Sequence, residues 1–264
     1  MLRFFAEIDR RDRLLSRLGW FHVALLALFV MAMMFDHRTL FGVNVWVKPS
    51  KFAASIAIYV WTVAWLMPYL TGPQWAKGLI RWGTTVAMIV EIVCIAGQAA
   101  RGVPSHFNDR TLLDGTIFTV MGLFILFNLL LDILLLVLFF RHHAPLPESY
   151  LWGIRAGLIG IILGGAVGIA MVANRAHTVG GPDGGPGLPV LNWSTERGDL
   201  RVSHALALHA LQILPIFGYV LSRVRLSPRG KATGIAAFSL LYALLVAATF
   251  LQAVAGHPLV GRLS

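Results

Sequence analysis

Seven apolar stretches, each close to the ~20 residues that carry a helix across a bilayer, constrain this chain more than any other feature. They cover roughly residues 18–35, 52–71, 80–99, 115–140, 151–173, 203–222 and 232–255. In hydrocarbon every backbone polar group must be satisfied internally, so the fold class they imply is all-α: a polytopic bundle of seven transmembrane helices. Composition agrees. Of the 264 residues 57% are hydrophobic and 13% charged, about half the charge of an ordinary soluble domain. No stretch alternates with period two over about ten residues, which argues against a transmembrane barrel. No internal repeat is visible, and the single cysteine, Cys94, excludes an intrachain disulfide and a cysteine-built metal centre.

Residues 1–17 mix Arg with acidic side chains and place Leu2, Phe5, Ile8 and Leu15 near one helical side. The segment reads as an interfacial amphipathic helix rather than a cleavable signal. The predicted organisation is therefore this helix, a seven-helix transmembrane domain over 18–257, and a C-terminal tail over 258–264. Thirteen of the 22 Lys and Arg fall on the N-terminal side of the membrane, concentrated before residue 18 and in loop 223–231. By the positive-inside rule the N-terminus is expected in the cytoplasm and the C-terminus outside. A formal net charge of +10 then points to topology and anionic headgroups. The expected partner is the lipid bilayer, not nucleic acid, because no aromatic-basic module is present.

Ionisable groups inside a bilayer cost roughly 2.5–3.5 kcal/mol each at a helix centre. Two acidic residues lie in the spans, Glu91 and Asp132. Gln98 falls two turns after Glu91 on the same helical face, and the helix runs into QAARGVPSHFN, which holds Arg101, Ser105, His106 and Asn108. A second cluster opens the sixth span: Asn192, Trp193, Asp199 and Arg201, then His204, His209 and Gln212 on one broad face. A third, NVWVKPSKFA, carries Lys48 and Lys51. All three belong to the outer side of the expected topology and are predicted to line one outward-opening site. On the opposite half, Asn128 and Asp132 share a face, with Arg155 and Tyr242 as candidate partners for Asp132. The fifth span places Gly153, Gly157, Gly160, Gly164 and Gly168 on one side, a surface that admits close approach of another helix.

The segments NVWVKPSKFA, QAARGVPSHFN and GDLRVSHALALHALQILP resemble a family of bacterial multi-pass membrane proteins with no assigned function. The resemblance covers under a quarter of the chain. It implies that the three segments belong together and that the organism is bacterial, which makes the inner membrane the expected location; it brings no substrate or cofactor. Seven spans also resemble the intramembrane zinc hydrolases of the alkaline ceramidase and adiponectin-receptor kind, but His204 and His209 are five residues apart where those enzymes carry HxxxH.

Three functions fit the residues. In an intramembrane enzyme or redox protein, Glu91 and His209 would be catalytic, with His204, His209 and His106 holding a transition metal or haem. In a transporter or receptor, a small anion or lipid headgroup would be bound by Lys48, Lys51, Gln98, Arg101, Ser105, His106, Asn108, Asp199, Arg201 and Gln212. In a non-catalytic membrane subunit, the same groups would stitch loops together.

Overall fold

A computed structural model describes residues 2–261 of the chain. Among the described residues seven helices are long and apolar enough to cross a membrane, and the protein is an integral, multi-pass helical membrane protein. The elements in order are α1 (Leu2–Arg11), α2 (Arg13–Phe35), β1 (Thr39–Leu40), β2 (Val43–Asn44), α3 (Val47–Leu66), α4 (Gln74–Arg101), α5 (Leu112–Arg141), α6 (Glu148–Asn174), β3 (Thr178–Val179), β4 (Gly198–Asp199), α7 (Leu200–Arg223) and α8 (Pro228–Val254). The chain divides into two compact units between Leu131 and Asp132, inside α5.

In the N-terminal unit, the expected interfacial segment 1–17 is split. Asp12 ends α1 and caps α2, its Oδ1 accepting from Leu15 N at 3.1 Å. An Asp in this position satisfies an otherwise orphaned helix N–H, and α2 begins at Arg13 instead of near residue 18. Ile8 and Leu15 are buried as the amphipathic pattern requires, while Phe4 remains exposed; the Leu2 side chain and residues 262–264 lie outside what is described. Arg11 fastens α1 to the end of α3, donating to the Trp65 carbonyl at 2.9 Å and to Tyr69 Oη at 3.0 Å. Its guanidinium also stacks 3.9 Å from the Trp65 ring centre. Helices α2, α3 and α4 each contact the other two. A tight turn at Phe41–Gly42, with both φ values positive, joins β1 to β2. Such a turn matches the twist of a two-residue hairpin.

In the C-terminal unit, the glycine side of α6 is the packing surface. A Cβ built on Gly153 would lie 2.5 Å from the Leu214 carbonyl oxygen of α7, and one on Gly157 would lie 2.9 Å from the Ala210 oxygen. Gly160, Gly164 and Gly168 also face α7. Burial of apolar area drives little helix association in lipid, so close backbone approach of this kind is what holds two membrane helices together. Helix α8 adds Tyr242 and Val246 to the Ala207–Ala210–Leu214 face of α7. Outward-facing Leu240, Leu241 and Leu244 stay exposed, as a hydrocarbon solvent allows.

Arg155 and Tyr242 take partners other than the Asp132 expected for them. Arg155 donates from Nε and Nη2 to the Phe139 carbonyl at 3.0 and 2.8 Å and stacks on Phe140 and Trp152. It serves as a cap for the unsatisfied carbonyls near the end of α5. Tyr242 Oη donates to the Leu206 carbonyl at 2.7 Å. In both cases a nearby backbone oxygen wins over a side chain that spacing alone had made attractive.

Candidate functional site

At the end of the N-terminal unit that carries the β1–β2 hairpin and loop 102–111, polar side chains converge in two layers. The outer one is a clasp on Asp36. Its carboxylate accepts from Arg38 Nε (2.9 Å) and Nη2 (2.7 Å) and from Trp46 Nε1 (2.9 Å). The Arg38 and Trp46 hydrogen bonds hold the Asp36 carboxyl far below the ordinary carboxylate range. Arg38 also donates to the Ala100 carbonyl at 3.1 Å. There it shares the terminal carbonyls of α4 with Gly102, whose φ of 71° makes the left-handed cap that glycine supplies without strain.

The inner layer is centred on Asp114, buried at the start of α5. Its Oδ1 accepts from Gln98 Nε2 at 2.9 Å and from Arg101 Nη1 at 2.6 Å, and its Oδ2 from Thr111 Oγ1 at 2.7 Å. Thr111 Oγ1 in turn accepts from Asp114 N at 3.1 Å, a reciprocal arrangement akin to a capping box. Arg101 also donates to Gln98 Oε1, so the guanidinium is fixed between a buried carboxylate and a buried amide. Asn108 and Gln98 reach the Pro104 carbonyl at 3.1 and 3.4 Å. Ser105 Oγ and His106 Nδ1 lie 3.1 Å apart. The His106 ring is 5.9 Å from Phe52, and the Lys48 ammonium lies 6.0 Å from the centre of the same Phe52 ring.

Lys48 and Lys51 are half-buried on the first turns of α3, which no side chain caps and which contain no acidic residue. Cations are disfavoured at a helix N-terminus, where the dipole is positive, so this end of the unit is doubly electropositive. Beneath it Glu91 is 2% exposed. Lys48 is the charged group acting on it through space.

In the C-terminal unit the second cluster is organised around Asp199, the N-cap of α7. Its Oδ1 accepts from Arg201 N (3.0 Å) and Nε (2.9 Å), its Oδ2 from Ser194 N (2.8 Å) and Arg201 Nη2 (2.6 Å). The same Nη2 reaches the Asn192 carbonyl at 2.5 Å. Asp199 and Arg201 therefore spend their hydrogen-bonding capacity on each other and on the loop. His204 turns toward α6, its Nδ1 donating to the Gly164 carbonyl at 2.8 Å, which leaves Nε2 as the acceptor in the neutral ring. His209 is exposed on α7 and lies 3.2 Å from Gln212 Oε1. Among the described residues, no three His, Cys, Asp or Glu side chains group as a metal-ligand set.

The glycine-rich loop of this unit closes on Asp183. Burial pushes the Asp183 carboxyl up, but the His177 hydrogen bond and charge, with the backbone N–H groups of His177 and Thr178, outweigh it and hold it far below the ordinary range. A depressed carboxyl stabilises the loop above its unfolded value of about 3.9, and that contribution is lost as pH falls through the folded value. Amide exchange at His177 and Thr178, whose N–H groups donate to Asp183 at 3.1 and 2.9 Å, is therefore expected to stay protected at pH 5. Protection is expected to fade on further acidification, and Asp183→Asn is expected to remove it at every pH.

Sequence reading did not single out Asp114, Asp36 or Arg38. Thr111 three residues ahead of Asp114 was a visible capping signal. In comparisons with known proteins, no family model matches the chain, and neither a curated protein nor a solved structure matches it.

Proposed function

We propose that this protein is a bacterial inner-membrane transporter or receptor, N-terminus inside, that takes a small anion or an anionic lipid headgroup at the hairpin-bearing end of its N-terminal unit. The observation that carries the reading is the pair Lys48 and Lys51, half-buried on the uncapped, electropositive first turns of α3. The exposed side of the Arg101 guanidinium, 40% accessible while its other face is held by Asp114, supplies a planar donor fork of the kind that binds carboxylate or phosphate. His106, against Phe52 beside Lys48, gives the site a polar wall. Imidazole ligation of haem or a transition metal has less support, because among the described residues no three His, Cys, Asp or Glu side chains group together.

The test is thermal unfolding of the purified full chain in detergent with inorganic phosphate, acetate and succinate, and in parallel with phosphatidylglycerol in the micelle. A ligand at a hundred times its Kd stabilises by about 2.7 kcal/mol, so at least one probe should raise the midpoint by several degrees. Lys48→Ala/Lys51→Ala is expected to weaken that probe by about tenfold or more, on the order of 1.4 kcal/mol. A response to the soluble anions identifies a solute site, and a response to the lipid alone a headgroup site. Midpoints indifferent to every probe, or shifts that survive the double substitution, would overturn the reading and leave the cluster as loop architecture.

A further inference from the structure

The start of α6, the end of α7 and the start of α8 line a cavity of about 250 Å³ in the C-terminal unit. Its position follows from how these helices are pinned together. A Cβ built on Gly218 would collide with the Ser149 carbonyl oxygen, so α6 and α7 touch there backbone to backbone. Ser149 Oγ also donates to the Gly218 carbonyl at 3.1 Å. A Cβ on Gly234 would lie 3.1 Å from the Leu221 side chain, which sets the approach of α8 to α7. Lys231 then ties the two helix ends together, its Nζ donating to the Ser222 carbonyl at 2.8 Å, one of the terminal carbonyls of α7 that the helix itself leaves unsatisfied.

Two of the lining side chains are charged, Glu148 on the first turn of α6 and Lys231 on the first turn of α8. The bond to Ser222 fixes the Lys231 ammonium and uses one of its three donors, so two remain to be offered to a ligand. Glu148 is exposed. Trp152 and Leu226 supply apolar wall and are themselves half-exposed. Arg223, Arg225 and Arg229 are exposed in the adjoining loop but lie outside the lining. The cavity stands at the ends of three spans, hence at headgroup depth, where tryptophan is characteristically placed. Pockets between membrane helices at this depth accept lipid headgroups. A lining with one cation and one anion complements a zwitterion, not a net anion.

We propose that this cavity is a binding site for a phosphatidylethanolamine-type phospholipid. The phosphate accepts from Lys231, the primary ammonium donates to Glu148, and the glycerol and first acyl carbons lie along Trp152 and Leu226. Both polar contacts are charge-assisted hydrogen bonds, the stronger kind. A choline headgroup carries the same charges, but its methylated nitrogen has no hydrogen to give Glu148. A glycerol headgroup has hydroxyls where the ammonium would be and leaves the carboxylate without an opposite charge. The site lies in the C-terminal unit and is independent of Lys48 and Lys51.

The experiment is fluorescence quenching of the full chain in detergent micelles by phospholipids with brominated acyl chains. The contribution of Trp152 is taken as the difference between wild type and Trp152→Phe, since the chain has 8 tryptophans. Half-maximal quenching of Trp152 should need about tenfold less phosphatidylethanolamine than phosphatidylcholine or phosphatidylglycerol, the scale of one charge-assisted hydrogen bond. Glu148→Gln, an exposed change that keeps the side chain's size, should bring ethanolamine and choline lipids to the same midpoint. Lys231→Ala should weaken both lipids together and leave their ratio standing, because both carry the phosphate. Ala232→Phe, at an exposed lining position, should weaken both by filling the cavity, and Lys48→Ala/Lys51→Ala should change nothing. Equal midpoints for the ethanolamine and choline lipids in wild type, or a preference that survives Glu148→Gln, would overturn the proposal. So would phosphatidylglycerol matching phosphatidylethanolamine, which would assign the effect to the arginines of the loop. Free phosphoethanolamine that reverses the quenching at the lipid's own concentration would make the occupant a solute and overturn the lipid assignment.

Discussion

Gly157→Leu is expected to abolish the folded C-terminal unit. A Cβ at this position would meet the Ala210 oxygen at 2.9 Å and Leu211 Cα at 3.0 Å. Both are backbone atoms of α7 and cannot turn aside as a side chain would. Relief requires α6 and α7 to separate along the glycine face. In lipid no hydrophobic force compensates for that separation, because the exposed surfaces are as content against acyl chains as against each other. Overpacking typically costs 1–3 kcal/mol where side chains can adjust, and a rigid backbone contact puts this substitution at about 3 kcal/mol or above. Equilibrium unfolding of detergent-solubilised protein with increasing sodium dodecyl sulfate measures it. Gly122→Ala, at a position with nothing within 4 Å, should instead be neutral or stabilising by roughly 0.5–1 kcal/mol, as expected for removing a helical glycine. Similar losses for the two variants would show that the backbone contact with α7 is not what makes Gly157 sensitive.

Asp114→Ala should give the second large loss, and in the other unit. Three side chains, Gln98, Arg101 and Thr111, donate to its carboxylate. Its removal costs the start of α5 a reciprocal cap and leaves Gln98 buried with a long 3.4 Å contact to Pro104 as its remaining acceptor. Breaking a buried ion pair from one side costs about 3–5 kcal/mol. Arg101 is 40% exposed and water can solvate it, which brings the expected figure down to about 2–3 kcal/mol. The unfolding midpoint should fall accordingly, and amides of loop 102–111 should exchange faster. Asp114→Asn, which keeps the shape and one acceptor, should retain part of the stability. If Asp114→Ala left loop exchange unaltered, the carboxylate would not be what orders this end of α4 and α5.

That the second prediction centres on a residue whose one sequence signal is the capping pattern Thr111-x-x-Asp114 shows where the information lies. The seven spans, the amphipathic lead and the close-packing side of α6 were legible because each is set by a local rule. The span length follows from bilayer thickness, and the glycine spacing from the pitch of a single helix. Glu91 and Gln98 could be assigned one buried face of α4 by the same arithmetic, and both are buried. The interfacial segment broke at Asp12 instead of running to residue 17, and even that carries a local reason in the Asp cap.

Partner choice was another matter. Nothing within a helix tells Arg155 that the Phe139 carbonyl lies closer than an aspartate, or Tyr242 that the Leu206 oxygen faces it. Nor could periodicity single out His22 among the nine histidines, since its burial and its contact with the Leu18 carbonyl depend on how α2 packs. Periodicity specifies direction around one axis; a hydrogen bond depends on which second axis lies beside it and at what height. The amino-acid sequence determined that this chain enters a membrane seven times and which faces shun lipid, whereas only the packed helices decided which polar groups are quenched and which are left open for chemistry.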